Sequence, residues 1–218
     1  MKQLFLTLIA ITTLIFTSCD SHADEEDFEG ISPTRVVCTD GNIYTLKQCK
    51  SQGKEPIAVV FHTSNADEIE GMGYAVYLWD LPPAQFADSL NVKQNTSADI
   101  TKYDGNMNTH HMHDSKVVLS PIAENVFSIW KYKQSAFIPS VAEMKLLFES
   151  IDEINEIIDA CDGQPIPKDA ENCWYWTSTE VKGQENLKAW LYSMGSGAFQ
   201  ETRKDAMHKV RPIISLHY

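Results

Sequence analysis

Four fragments in one C-terminal run decide the fold. They are Phe137-Ile138-Pro139-Ser140-Val141-Ala142-Glu143, then Trp174-Tyr175-Trp176-Thr177-Ser178-Thr179-Glu180, then Ala189-Trp190, and finally Lys209-Val210-Arg211-Pro212-Ile213. Ser140 and Glu143 have the Ser-x-x-Glu spacing of a capping box, in which side chain and backbone satisfy each other at a helix start. Met144, Leu147, Phe148 and Ile151 follow at helical spacing and give that helix one apolar face. Asp152 is expected to cap a second helix carrying Ile154, Ile157 and Ile158, which Gly163 ends. After a proline-containing loop the periodicity drops to two. Strands are expected at 174–179, 188–194, 198–202 and 210–216, with Gly195-Ser196-Gly197 as a hairpin turn. In the last strand Val210, Pro212, Ile214 and Leu216 share one face, and Pro212 marks an edge or a bulge.

Upstream, Val36 to Leu46 reads as a β-hairpin around Asp40-Gly41, a pair that supplies the positive φ angles of a tight turn. Residues 56–61 are almost continuously apolar and read as a central strand buried on both faces. Residues 71–80 read as the next strand, with Pro82-Pro83 stopping it. Asn108-Thr109 is expected to cap a helix through Val118. A further helix is expected from Pro121 to Tyr132, with Ile122, Val126, Ile129 and Trp130 near helical spacing.

The chain of 218 residues has a formal net charge of −12, which argues against a nucleic-acid partner because neutralising phosphates requires a basic face. Its start reads as a targeting segment. Lys2 precedes an apolar run from Leu4 to Phe16 that is too short for a membrane span. Ile15-Phe16-Thr17-Ser18-Cys19 resembles a bacterial lipobox, which implies a signal peptide at 1–18 and lipidation of Cys19. Residues 19–34 then form an acidic tether, since Asp24-Glu25-Glu26-Asp27 offers no apolar surface to bury. The run also resembles the acidic signal that sends lipoproteins to the cell surface in one group of Gram-negative bacteria. The expected location is therefore the outer membrane, surface-exposed, with the lipid as the membrane contact.

Without Cys19, four cysteines remain: Cys38, Cys49, Cys161 and Cys173. In an exported chain an even number reads as disulfides. Of the three pairings, Cys38–Cys49 and Cys161–Cys173 each close a short loop and are the ones expected. Free thiols or a metal site are the alternatives, and the spacing lacks the Cys-x-x-Cys pairs of zinc sites.

The order Ile138-Pro139-Ser140-Val141-Ala142-Glu143-Met144, Tyr175-Trp176-Thr177-Ser178-Thr179-Glu180, Ala189-Trp190, Val210-Arg211-Pro212 resembles a bacterial branch of the C-type-lectin-like fold. The resemblance covers about the last third of the chain. It implies an α+β fold of short antiparallel sheets with flanking helices, spanning a single domain at 35–218. It also implies that ligand contacts come from the segments between the Trp-Thr-Ser-Thr-Glu strand and the closing strand. Within and beside those segments the candidate ligand-binding residues are Trp174, Lys182, Gln184, Asn186, Tyr192, Gln200 and Arg203. Trp174 and Tyr192 offer aromatic faces for a sugar or a protein anchor.

Catalytic patterns are sparse. The chain has no Gly-x-Ser-x-Gly, P-loop or Rossmann glycine motif, and no carboxylate pair stands out as an acid and a base. His110, His111 and His113, followed by Asp114, include helical i, i+3 and i, i+4 pairs, but lack the glutamate of a His-Glu-x-x-His site. Neither a metal nor a cofactor is expected. The reading is a non-enzymatic binding module for a glycan or a surface protein. The alternatives are a structural component of a surface assembly such as a fimbria-like complex, and an enzyme of the formylglycine-generating branch.

Overall fold

The computed structural model describes residues 30–64, 69–129 and 136–217. The expected signal peptide, Cys19, the first part of the tether and Trp130 lie outside the described residues. Strands β1 (Val36–Cys38) and β2 (Ile43–Tyr44) form the expected antiparallel hairpin, with Gly41 at φ 84° in its turn. The chain then leaves the sheet two residues earlier than expected. Thr45 caps a short helix, α1 (Leu46–Ser51), through a capping box with Gln48. The Thr-x-x-Gln spacing carries that signal in the sequence.

Strands β3 (Pro56–Thr63) and β4 (Gly73–Tyr77) are buried through their centres, as their apolar runs require. The expected stop at Pro82-Pro83 is a strand instead, β5 (Leu81–Gln85). It is the outer strand of its sheet, and its register with β10 shifts opposite the two prolines, which have no N–H to give the ladder.

Helix α2 (Gly105–His113) begins before the expected cap at Asn108-Thr109. Both residues are buried and used as cross-links. Asn108 donates to Asp104 Oδ1 at 2.7 Å and accepts from the Ser97 N–H at 2.9 Å. Thr109 Oγ1 donates to the Gly105 carbonyl and accepts from the Ile138 N–H. Val118 is not helical. Ser120 caps α3 (Pro121–Ser128), with the proline in its first turn. After β6 (Ala136–Phe137), the Ser140–Glu143 capping box opens α4 (Val141–Glu149) as the spacing predicts. Helix α5 (Ile151–Ala160) follows directly. Ser150 rather than Asp152 is its cap residue, without a side-chain bond, because the two helices share that residue as their junction.

The C-terminal strands are β7 (Trp174–Glu180), β8 (Lys188–Ser193) and β9 (Phe199–Arg203). The single closing strand expected at 210–216 is two: β10 (Met207–Val210) and β11 (Ile213–Leu216). They lie in different sheets. One sheet has the order β2-β1-β3-β4-β11-β6 and the other β5-β10-β7-β8-β9. All pairings are antiparallel except β10 with β7. The architecture is mixed α+β.

Arg211 stands where the chain crosses from one sheet to the other. Its guanidinium is fully buried and donates to Asp80 Oδ1 at 2.6 Å, to the Tyr77 carbonyl at 3.0 Å and to the Gln164 carbonyl at 2.8 Å. Lys209 and the Tyr175 hydroxyl donate to Asp80 Oδ2 at 2.8 and 3.2 Å. Pro212 gives up an N–H at the crossing, and Asp80 gathers both cations around it. A second buried pair, Lys204 with Glu180, holds the 92–94 segment: Lys204 Nζ donates to the Val92 carbonyl and the Gln94 N–H to Glu180.

Two apolar clusters flank the strands. Val59, Phe61, Tyr74, Val76, Ile213 and Tyr175 face α4 and α5. Val60, Ala75, Ile214, Trp176, Leu191 and Val210 face α2 and α3. The expected alternation of the closing residues holds across the break, because Val210 and Ile214 fall in one cluster and Ile213 in the other.

The expected pairing of Cys161 with Cys173 is corrected. All four cysteines are buried, and no two of them stand at disulfide bonding distance. Cys161 ends α5 within the cluster that holds Cys38 and Cys49, whereas Cys173 packs its sulfur 3.2 Å from Ser193 Oγ at the end of β8. The turn after α5 carries Cys161 towards α1 rather than towards β7. Cys38 and Cys49 do meet, with sulfurs 3.5 Å apart.

Candidate functional site

An open groove of about 590 Å³ lies where α4, the β8–β9 hairpin and the 100–103 segment converge. Its position follows from the capping box. Ser140 uses its N–H to donate to Glu143 Oε2 at 2.6 Å and its hydroxyl to donate to the Lys102 carbonyl at 2.8 Å. The Gly105 N–H reaches Glu143 Oε1 at 3.4 Å. One helix start therefore pins the 100–105 segment against α4 and makes it a wall. Gly105 allows the approach, since a Cβ there would fall 2.2 Å from Glu143 Oε2.

The floor is Val141 and Ala142, and the sides are aromatic. Phe148 on α4 meets Tyr192 on β8 edge-on, with centroids 6.3 Å apart. Trp190 meets Phe199 edge-on at 5.2 Å. Register explains this grouping: Tyr192 pairs with Phe199 across the β8–β9 ladder, so the two rings share a face. Gly197 at φ 71° closes the hairpin, and a Cβ there would sit 2.9 Å from the Phe148 ring. The indole N–H of Trp190 has no hydrogen-bond partner among the described residues.

Charge is kept to the rim. Lys145 and Glu149 pair at 3.9 Å across one helical turn, and both are exposed. Burial pushes the Tyr192 hydroxyl up to about 12, with Glu149 adding to it, so the phenol stays neutral. Burial likewise pushes the Glu143 carboxyl up to about 7, but Glu143 lies behind the wall and does not line the groove. No group with a nucleophile–base geometry opens into this space among the described residues.

A polar depression of about 470 Å³ adjoins the groove and shares Ile100 with it. Asp99, Lys182 and Glu185 line it. The backbone N–H of Gly183 and the ammonium of Lys93 hold the Glu185 carboxyl down at about 2.

The residues expected from sequence divide between two faces. Tyr192 lines the groove and Lys182 the adjoining depression. Gln184 donates to Glu201, which also receives Lys188 at 2.9 Å, so Gln184 stands on the groove face of the hairpin. Arg203 is committed to Asp205 through two bonds of 2.6 and 3.0 Å. Asn186 is half-buried and its carbonyl accepts from the Asn91 N–H. Trp174 packs against the opposite apolar cluster, and Gln200 pairs with Leu191 of that cluster, so both point away from the groove. Sequence reasoning missed Tyr103, Lys145, Phe148 and Phe199. Phe148 was legible as the apolar face of α4, and nothing local signals that its ring edge stays open.

His110 and His113 share one face of α2, as their i, i+3 spacing predicts, and His111 turns elsewhere. His113 stacks on Phe127 at 3.7 Å, His110 meets the same ring edge-on, and His111 Nδ1 lies 2.8 Å from the Asn95 carbonyl. No group of three His, Cys, Asp or Glu side chains among the described residues is arranged to hold a metal.

No protein-family model matches this chain, and no curated protein matches it.

Proposed function

We propose that this chain is a lipid-anchored cell-envelope protein whose C-type-lectin-like domain is a non-enzymatic binding module for a glycan or a surface protein. The observation that carries the reading is the groove itself: an apolar floor with Phe148, Tyr192 and Phe199 around it and charges confined to its rim. Small-molecule and side-chain sites share that composition, with rings supplying contact area and a few polar groups supplying orientation. The fold assignment rests on the motif order, and two antiparallel-rich sheets with flanking helices are consistent with it. The lipid anchor rests on the lipobox resemblance around Cys19.

A glycan array and a pull-down from native envelope, each run with the full chain and with its Phe199→Ser variant, test the proposal. Binding that the variant loses supports it. Binding that the variant keeps places the ligand elsewhere, and a productive turnover of any captured ligand removes the non-enzymatic part.

A further inference from the structure

Helix α1 is six residues long, and Cys49 is its one buried side chain. A helix that short does not persist by itself, so what fastens it decides whether it stays docked. Tyr44 and Leu46 give partial packing beside it. Cys38 ends β1, where the register with β3 shifts by a residue. The two sulfurs touch at 3.5 Å in the apolar cluster, and Cys49 also donates to the Lys54 carbonyl at 3.4 Å. Cys161 belongs to the same cluster from the far end of α5, but the direct contact is between Cys38 and Cys49. Cys173 is elsewhere, paired with Ser193.

We infer that the exported chain carries a single disulfide, Cys38–Cys49, and keeps Cys161 and Cys173 as buried thiols. The two sulfurs are already in contact at 3.5 Å and close to a bond of about 2.05 Å. The bond forms between the two sulfurs as they release two protons and two electrons. A dithiol–disulfide oxidant accepts them, its own disulfide opening to a dithiol. Burial holds Cys38 in its thiol form. Both cysteines are closed off from solvent once α1 is docked, so the oxidant reaches them while α1 is undocked, before the cluster closes. The product staples α1 to β1 and secures the β2–β1 end of the six-stranded sheet.

The test uses the full chain in detergent, refolded in a mixture of oxidised and reduced glutathione, then alkylated in denaturant without reductant and mapped by mass spectrometry. The expected result is a Cys38–Cys49 crosslinked peptide with Cys161 and Cys173 alkylated, unchanged in Cys161→Ser. Reduction of the wild type is expected to lower Tm by roughly 5 °C or more, and to leave Tm of Cys38→Ser/Cys49→Ser unchanged. A Cys161–Cys173 link, a Cys49–Cys161 link, or four alkylated cysteines would each overturn the inference.

Discussion

The rings of Phe148 and Tyr192 meet at 6.3 Å and 60°, and through that contact α4 and the β8–β9 hairpin form one surface. Neither residue alone makes a binding face. Phe148 completes the apolar side of a helix, and Tyr192 belongs to the core. The groove exists because the hairpin turn at Gly197 lets β9 lean over the Phe148 ring without a side chain in between.

Phe199 is 42% exposed and touches Trp190 on the rim. Phe199→Ser is expected to change stability by no more than about 0.5–1 kcal/mol, and to weaken ligand binding about tenfold or more. Gly197→Ala is expected to act differently. It strains a positive φ and pushes on Phe148, costing about 1 kcal/mol or more, and it narrows the groove. Thermal unfolding and binding titrations on both variants separate the two effects.

Glu143 supplies a pH signature. Burial raises its carboxyl from 4.5 to about 7 in the folded chain, so the folded state holds the proton more tightly. The contribution is fully present below pH 4.5 and is lost as pH rises through 7. Its size is on the order of 3 kcal/mol. Burial of Asp104 acts in the same direction. Burial lowers His62 and His208, and their contributions rise with pH up to about 6.5, so they oppose it. The difference between wild type and Glu143→Gln isolates the carboxyl. Urea midpoints at pH 4, 5.5 and 7.5 are expected to show wild type losing ground to the variant as pH increases. Parallel curves would contradict the assignment.

Asp80 neutralises two cations at the sheet crossing. Asp80→Asn leaves the fully buried Arg211 without a counter-charge, and the expected loss is about 3–5 kcal/mol. An unchanged denaturant slope would identify the loss as stability rather than a change in compactness.

The elements that depend on neighbouring residues were legible. Ser140 and Glu143 announced α4, and Asp40-Gly41 announced the first hairpin, because caps and tight turns are local chemistry. What depended on distant partners was not. Pro82 and Pro83 resemble a stop until β10 is seen pairing on one side of them. Residues 210–216 alternate like one strand, and only the burial of Arg211 against Asp80 shows where the chain changes sheets. The site followed the same rule. Tyr192 was named for an aromatic ring in the segment that the resemblance marks for ligand contacts, and it lines the groove. The 100–103 wall was missed because its place is set by Ser140 and Glu143, far along the chain. Trp174 has the right chemistry and the wrong face, a matter of register that its own segment does not reveal.

If ligand is received in the groove, amide chemical-shift mapping of the full chain with whichever glycan or envelope protein it captures will register it there. Perturbations are expected to concentrate at Ile100, Thr101, Tyr103, Lys145, Phe148 and Phe199, with Met207 on β10 unmoved. Perturbations centred on Trp174, Gln200 or the histidines of α2, with the groove residues unchanged, would contradict it.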